Sequence, residues 1–233
     1  VTPPPAAVVP AAVVTDIEGT TTRIAFVHEI LFPYARAHVA QFLTEHSDDP
    51  QVTDIMAQVT RAAPGVPALT TLLGWMDADA KVTPLKSLQG LIWAEGYARG
   101  DLHSEVYPDV VPALRKWRAA GVRLYVYSSG SEAAQKQLFA NLPEGDVTVL
   151  FSGFFDTNVG AKRDPGSYRT IATAIGLPPA DLLFLSDVGA ELDAAAVNGW
   201  RTCQLLRKED NVPPAAGHPQ AANFDEVTTR FGL

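Results

Sequence analysis

The stretch "VVTDIEGTTT", Val13 to Thr22, decides how the rest of the chain is read. It closes a short apolar run, Ala11–Thr15, with two carboxylates one residue apart, Asp16 and Glu18, followed by Gly19 and a run of threonines. A short apolar run bounded by turn residues reads as a buried strand. The polar segment after it is either a strand-end turn capped by Asp and Thr or a loop that aims two acids at a ligand. The choice depends on what the other strands end in.

Three more runs share this form: Arg123–Tyr127 (RLYVY), Leu182–Leu185 (LLFL) and Thr202–Leu206 (TCQLL). Val147–Phe151 (VTVLF) is a weaker fifth. Helical patterns separate them. Val110–Ala120 stops at Gly121, Glu132–Ala140 follows SSGS, Ser167–Ile175 stops at Gly176, and Glu191–Asn198 stops at Gly199. Glycine just past a helix accepts the left-handed conformation that ends it. Strands alternating with helices predict an α/β fold with a mostly parallel, Rossmann-like sheet.

Ala25 to Tyr107 does not alternate and predicts helices only. "IAFVHEILFPYARAHVAQFLTEH" has apolar residues at helical spacing, with Pro33 set to start a new turn or kink it. Val52–Ala62, Ala68–Asp79 and "PLKSLQGLIWAEGYARG", which closes at Gly100, continue the pattern. The block reads as an all-helical insertion after the first strand, covering one edge of the sheet and hinged near Thr22–Ala25 and Leu102–Pro108. The expected division is an extended leader over 1–10, an α/β core from 11–24 and 108–233, and a helical domain over 25–107. The tail "NVPPAAGHPQAANF" is rich in Pro and Gly and reads as a loop. "FDEVTTRF" reads as one or two helical turns.

The 233 residues suffice for one core carrying an inserted subdomain. With 47% apolar and 19% charged residues, the composition is that of a globular protein. A formal charge of −8 argues against the basic face that nucleic acid or an acidic membrane requires, so neither is an expected partner. An anionic substrate stays compatible, because a metal ion and one lysine reverse the sign locally. Cys203 is the single cysteine; it forms no internal disulfide and reads as a small buried hydrophobe. No apolar run reaches membrane-spanning length. The start "VTPPPAAVVPAAVV" has no basic residue and is broken by Pro10, which makes a poor signal peptide. The cytoplasm is the expected compartment and a monomer the expected state. The five histidines lack metal-ligand spacing, so zinc is not expected.

Ligands of open parallel sheets bind beyond the carboxyl ends of the strands, and four polar clusters fall at such places. Asp16 and Glu18 form the first. In "YSSGSEAAQ", the Ser128 hydroxyl and the amides near Ser129 and Gly130 suit phosphate oxygens at a helix start, and an ordinary cap by Ser129 or Ser131 suits them as well. Lys162 sits in a Gly-flanked loop, where a lysine is either solvated or aimed at a phosphate and two carboxylates. Asp187 follows a strand, with Glu191 and Asp193 near the next helix start. Acids there either complement the helix dipole or supply oxygen ligands for magnesium. Capping alone does not readily produce Asp, Ser, Lys and Asp in this order at successive junctions.

These four clusters resemble those of the haloacid-dehalogenase-like superfamily, whose phosphatases mostly carry D-x-D-x-T in the first. Here Glu18 replaces the second Asp. With "DIEGTTTRIAFVHEILFPYA", "LKSLQGLIW", "YSSGSEAAQ", "FDTNVGAKRDPGSY" and "FLSDVGAELDAA", the chain closely resembles the enolase-phosphatases of methionine salvage from about Val14 to Leu206. The resemblance implies a small phosphorylated diketone as substrate, enolisation followed by phosphate removal in one site, and Mg2+ as cofactor. It implies that Asp16 and Asp187 hold the metal together with the Glu18 carbonyl, that Ser128 and Ser129 hold the phosphate, and that Lys162 faces it. It makes Asp16 the expected nucleophile and Glu18 the expected general acid/base. The helical insertion becomes a cap, with Tyr34, Lys86, Gln89 and Trp93 as expected substrate contacts and His28 and Glu29 as weaker ones. Packing inside the helical block accounts for these cap residues equally well. The runner-up is a related phosphatase acting on another small phosphate ester.

Overall fold

A computed structural model describes residues 9–233; all of the proposed leader except Val9 and Pro10 lies outside them. In chain order the elements are β1 (Ala12–Thr15), α1 (Ile24–Phe26), a wide π-helical turn (Val27–Leu31), α2 (Phe32–Glu45), α3 (Pro50–Ala62), α4 (Ala68–Asp77) and α5 (Thr83–Arg99). Then come α6 (Val110–Ala119), β2 (Arg123–Tyr127), α7 (Glu132–Ala140), β3 (Gly153–Phe155), α8 (Pro165–Ile175), β4 (Leu182–Ser186), α9 (Gly189–Val197), β5 (Arg201–Leu205), β6 (Gln220–Ala221) and α10 (Phe224–Phe231). Two compact units emerge. One comprises Ser104–Leu233 with the described residues up to Ile24, and the other is Ala25–His103.

The first unit is built on a six-stranded sheet in the order β3-β2-β1-β4-β5-β6, every pairing parallel. Successive strands step outward from β1 in one direction through β2 and β3, and in the other through β4, β5 and β6. The order therefore reverses between β1 and β4, which is where ligands of such sheets bind. Side chains alternate across a strand. Ala12, Val14, Tyr125, Tyr127, Leu182 and Phe184 join a core cluster with Tyr168 and Ile171 of α8 and Leu192 and Ala195 of α9. The alternate set, Val13, Leu124, Val126, Leu183 and Leu185, is buried too. Both faces are covered, so the strands read as continuous apolar runs, as parallel sheets require.

Three expectations differ from the structure. The run Val147–Phe151 is not a strand: Thr148–Leu150 forms a single 3-10 turn, and β3 begins at Gly153. Asp146 accepts the Thr148 N–H at 2.8 Å and starts that turn, while Phe151 is buried against Phe139 rather than by pairing, with ring centroids 4.6 Å apart. The tail is not loop throughout. Gln220–Ala221 pairs with β5 as β6, a strand too short to show a pattern between prolines and glycines. α8 starts at Pro165, two residues ahead of expectation. Asp164 caps it by accepting the Gly166 N–H at 2.8 Å, and proline is preorganised for the first helical position.

The second unit is helical, with Val39, Phe42, Ile55, Val59, Leu72 and Leu88 in its core. Pro33 lies just after the π turn, where Phe32 N–H bonds Val27 O. A proline ring collides with the carbonyl four residues back in a regular helix, and a wider turn relieves that conflict. Trp93 Nε1–H donates to Leu31 O at 2.8 Å and ties α5 to this turn. Gly100, at φ 77°, ends α5 in the left-handed conformation that glycine adopts at least cost.

Candidate active site

The site grows from the ends of three adjacent strands. Thr15 pairs with Val126 on one side and Leu185 on the other, so Asp16, Ser128 and Asp187 leave the sheet together. All three are buried, at 2%, 1% and 5% exposure, although each is polar. Burying a carboxylate is costly unless it is paired, and the pairing comes from Lys162. Its Nζ lies 2.6 Å from Asp16 Oδ1 and 2.7 Å from Glu191 Oε2. The Asp16 contact is an ion pair without hydrogen-bond alignment. Burial pulls the Lys162 pKa down, but Asp16 and Glu191 outweigh it and hold the ammonium above its ordinary range.

Lys162 is delivered by a braced loop. Tyr168 OH donates to Lys162 O at 2.8 Å, Ser167 Oγ to Ala161 O at 2.8 Å, and Tyr127 OH to Gly160 O at 2.9 Å. Glu191, in the first turn of α9, accepts from Ser186 Oγ at 3.0 Å. Burial, then Asp16, raises its pKa, with Lys162 opposing. Ser186 and Glu191 thus belong to the site. Ser186 gave no signal in the sequence, since it ends an apolar strand; Glu191 was visible only as an acid near a helix start.

The turn after Asp16 is tightly wound. The N–H groups of Thr20, Thr21 and Thr22 all point to Ile17 O, at 3.1, 2.8 and 3.0 Å, and Gly19 N–H donates to Thr22 O at 2.8 Å. Gly19 has φ 70°, and a Cβ on it would stand 2.5 Å from Asp187 Oδ2. Only glycine lets the two acidic strand ends approach this closely. Arg207, buried beside Asp109, donates to Thr20 O through Nε at 3.0 Å and Nη2 at 2.8 Å and fixes the turn from behind. Glu18 is half-buried in this turn.

Ser128 Oγ accepts the Gly130 N–H at 3.2 Å, and Ser131, not Ser129, caps α7. Ser129 is exposed beside it. Lys86, Gln89 and Trp93 lie on α5 of the helical unit at spacings of three and four residues, hence on one helix face. Gln89 is buried, and the Trp93 indole N–H is committed to Leu31 O. Tyr34 packs against Gly96 and donates to Asp101 Oδ2 at 3.2 Å; His28 sits edge-on to Phe32, and Glu29 is exposed.

The residues present fit a magnesium ion. Asp187 Oδ1 is buried and meets no hydrogen-bond donor among the described residues. Burial, and then the neighbouring Asp16, push the Asp187 carboxyl up to about 7. A divalent cation shared by these two carboxylates would answer both conditions, with oxygen ligands of the kind magnesium prefers. Elsewhere among the described residues, Glu45, His46 and Glu95 bring three ligand atoms within 4.8 Å. Arg99 already pairs with both glutamates there, which makes that group a salt-bridge network.

A parallel sheet with an acid at the end of its central strand, flanked by serine, lysine and aspartate, defines a class. A model of the haloacid dehalogenase-like hydrolases matches residues 10–199, and the chain belongs to that family. Within it the chain belongs to the enolase-phosphatases. It is 56% identical over 225 residues to the Enolase-phosphatase E1 of Granulibacter bethesdensis, covering 96% of this chain and 97% of that one. It is 54% identical over 222 residues to the Enolase-phosphatase E1 of Gluconacetobacter diazotrophicus, covering 95% and 94%. Among solved structures it is similar to the UTR4 protein of Saccharomyces cerevisiae, at 34% identity and a TM-score of 0.79, covering 93% of this chain and 99% of that one.

Proposed function

We propose that this chain is the acireductone synthase of methionine salvage, a magnesium-dependent enolase-phosphatase. It converts 2,3-diketo-5-methylthiopentyl-1-phosphate to 1,2-dihydroxy-3-keto-5-methylthiopentene and phosphate. The observation that carries this reading is the Asp16–Lys162–Glu191 cluster beside Asp187 at the sheet's switch point, in a chain whose relatives bear the enolase-phosphatase name.

In the first step Glu18 removes a proton from the carbon beside the carbonyl, and the carbonyl oxygen gains one. The electron pair of the C–H bond becomes the C=C bond of the enol. Asp16 then attacks phosphorus. A carboxylate oxygen bonds to phosphorus as the bond from phosphorus to the substrate oxygen breaks, and that oxygen takes a proton. Water next attacks the aspartyl-phosphate, which frees phosphate and restores Asp16, so one hard displacement becomes two easier ones. Lys162 balances the charge that spreads over the phosphoryl oxygens. Ser128 and Ser129 hold those oxygens beside the start of α7. Asp16, Asp187 and the Glu18 carbonyl hold Mg2+, which when bound offsets the repulsion between carboxylate and phosphate.

The helical unit acts as the cap that excludes water from the enolic species. Lys86, Gln89 and Trp93 are its substrate contacts, a role supported by their shared face on α5. A cytoplasmic monomer completes the proposal. No described helix is long and apolar enough to cross a membrane. The test supplies the diketo phosphate with Mg2+ and follows the enediol chromophore and released phosphate together. Phosphate release from simple esters without any chromophore would leave a phosphatase of another substrate.

A further inference from the structure

Gln204 of β5 is buried, and its register partner in the sheet is Ser186, the last residue of β4 and the one before Asp187. Its Nε2 donates to Asp187 O at 2.8 Å and to Pro213 O at 3.1 Å, while its Oε1 accepts the Ala215 N–H at 2.7 Å. One amide thus satisfies a main-chain group on the turn after β4 and two on the tail loop. The contact is also steric. A Cβ on Gly189 would stand 2.5 Å from the Ala215 Cβ, so the loop rests directly on the backbone where that turn enters α9. The far end of the loop is pinned as well. His218 Nδ1 lies 2.8 Å from Thr202 Oγ1, and its Nε2 lies 3.0 Å from Asp193 Oδ1 on α9.

We infer that Gln204 and the tail loop are a positioning device for Asp187, holding the turn after β4 so that its carboxylate meets the divalent cation at a set place and angle. This rests on the reading of Asp187 as a magnesium ligand. Asp187 Oδ1 takes no hydrogen bond from the described residues, so the main chain carries that much more of its orientation. Magnesium demands near-ideal octahedral geometry and tolerates little error in a ligand's position. Partners behind a ligating residue commonly govern metal affinity by about 10–100-fold. Gln204 touches neither substrate nor metal in this scheme; it is a positioning residue.

The test is calorimetric titration of the whole chain with Mg2+ alone, with thermal melting of each variant alongside. Gln204→Leu and Gly189→Ala are expected to bind Mg2+ about 10–100-fold more weakly than wild type. Gly189→Ala combined with Ala215→Gly removes the clash and is expected to recover most of the affinity. In assays, the Mg2+ concentration for half-maximal rate should rise far more than the rate at saturating Mg2+ falls. A purely packing role would lower the melting temperature and leave Mg2+ affinity unchanged, which overturns the inference. Should Gln204→Leu fail to fold, the Gly189 and Ala215 variants decide it by the same criterion. Wild type that binds no Mg2+ overturns the metal reading of Asp187 first and this inference with it.

Discussion

Lys162 Nζ stands 2.7 Å from Glu191 Oε2 and, at the same time, 2.6 Å from Asp16 Oδ1. One buried ammonium therefore joins the end of β1 to the first turn of α9. The three residues come from positions far apart in the chain, and each would be costly to bury without the others. The cluster is both a structural joint and the charge setting of Asp16, the proposed nucleophile.

Replacing Lys162 by Met should show both roles. Two buried acids lose their shared cation, and removing one partner of a buried pair typically costs about 3–5 kcal/mol. Urea unfolding of Lys162→Met should register a loss of that order, and phosphate release should fall at saturating Mg2+. Unchanged stability would mean that solvent screens the cluster.

Asp16→Asn keeps the size of the side chain and removes the proposed nucleophile. Phosphate release is expected to fall by roughly 10^4-fold or more, as for nucleophile knockouts in general. Quenched-flow trapping of phosphorylated protein should find the adduct in wild type and none in Asp16→Asn. A variant that still turns over with trapped phosphoenzyme would place the nucleophile elsewhere.

Glu18→Asp probes the departure from the common acid at this position. Shortening the side chain by one methylene should slow enediol formation within the roughly 10^2–10^4-fold range of general acid–base catalysis. Phosphate release from a pre-enolised analogue should change much less. Equal losses in both readouts would detach Glu18 from enolisation.

Gly19→Ala addresses the close approach of the two strand ends. Its φ of 70° strains any L residue, and the new Cβ would meet Asp187 Oδ2 at 2.5 Å. A stability loss of about 1–3 kcal/mol is expected, with weaker Mg2+ binding measured by titration. Gly121, at φ 88° with nothing within 4 Å of its added Cβ, is the control: Gly121→Ala should lose stability through backbone strain and keep its Mg2+ affinity.

Cys203 carries a prediction about pH. Burial pushes its thiol up to about 12, whereas an unfolded thiol ionises near 8.5. Between those values the unfolded chain has given up a proton that the folded chain keeps. Stability contributed by this group therefore falls as pH rises above about 8.5. Denaturation between pH 8 and 10 should show a shallower alkaline decline in Cys203→Ala than in wild type. Iodoacetamide at pH 8 should label the thiol only on unfolding.

The apolar runs of β1, β2, β4 and β5 were legible because a sheet buried on both faces leaves continuous hydrophobic signatures. Glycines after helices marked most boundaries within one or two residues. β3 and β6 escaped. β3 is three residues long beside a more apolar turn, and β6 is a pair of residues whose pairing depends on β5 being in place. In the site, Asp16, Ser128, Lys162 and Asp187 stood out because a carboxylate, a hydroxyl or a lysine at a strand end or loop junction is unusual enough to notice. Ser186 and Gln204 did not, since a single polar residue within an apolar strand looks like any other until its partner is known.

The amino-acid order by itself determined the alternation of strands and helices, the interruption by a helical block, and the polar residues waiting at the strand ends. Those features are local: periodicity, turn chemistry and the spacing of a few side chains along the backbone. Only the tertiary structure decided that Lys162 serves Asp16 and Glu191 together, that Gly19 gives way to Asp187, and that Gln204 ties the tail loop to the turn behind Asp187. Each of these joins residues many positions apart. Their distances follow from how parallel strands stack side by side and how loops close over the sheet, and neither the spacing of residues along the chain nor their local propensity encodes that.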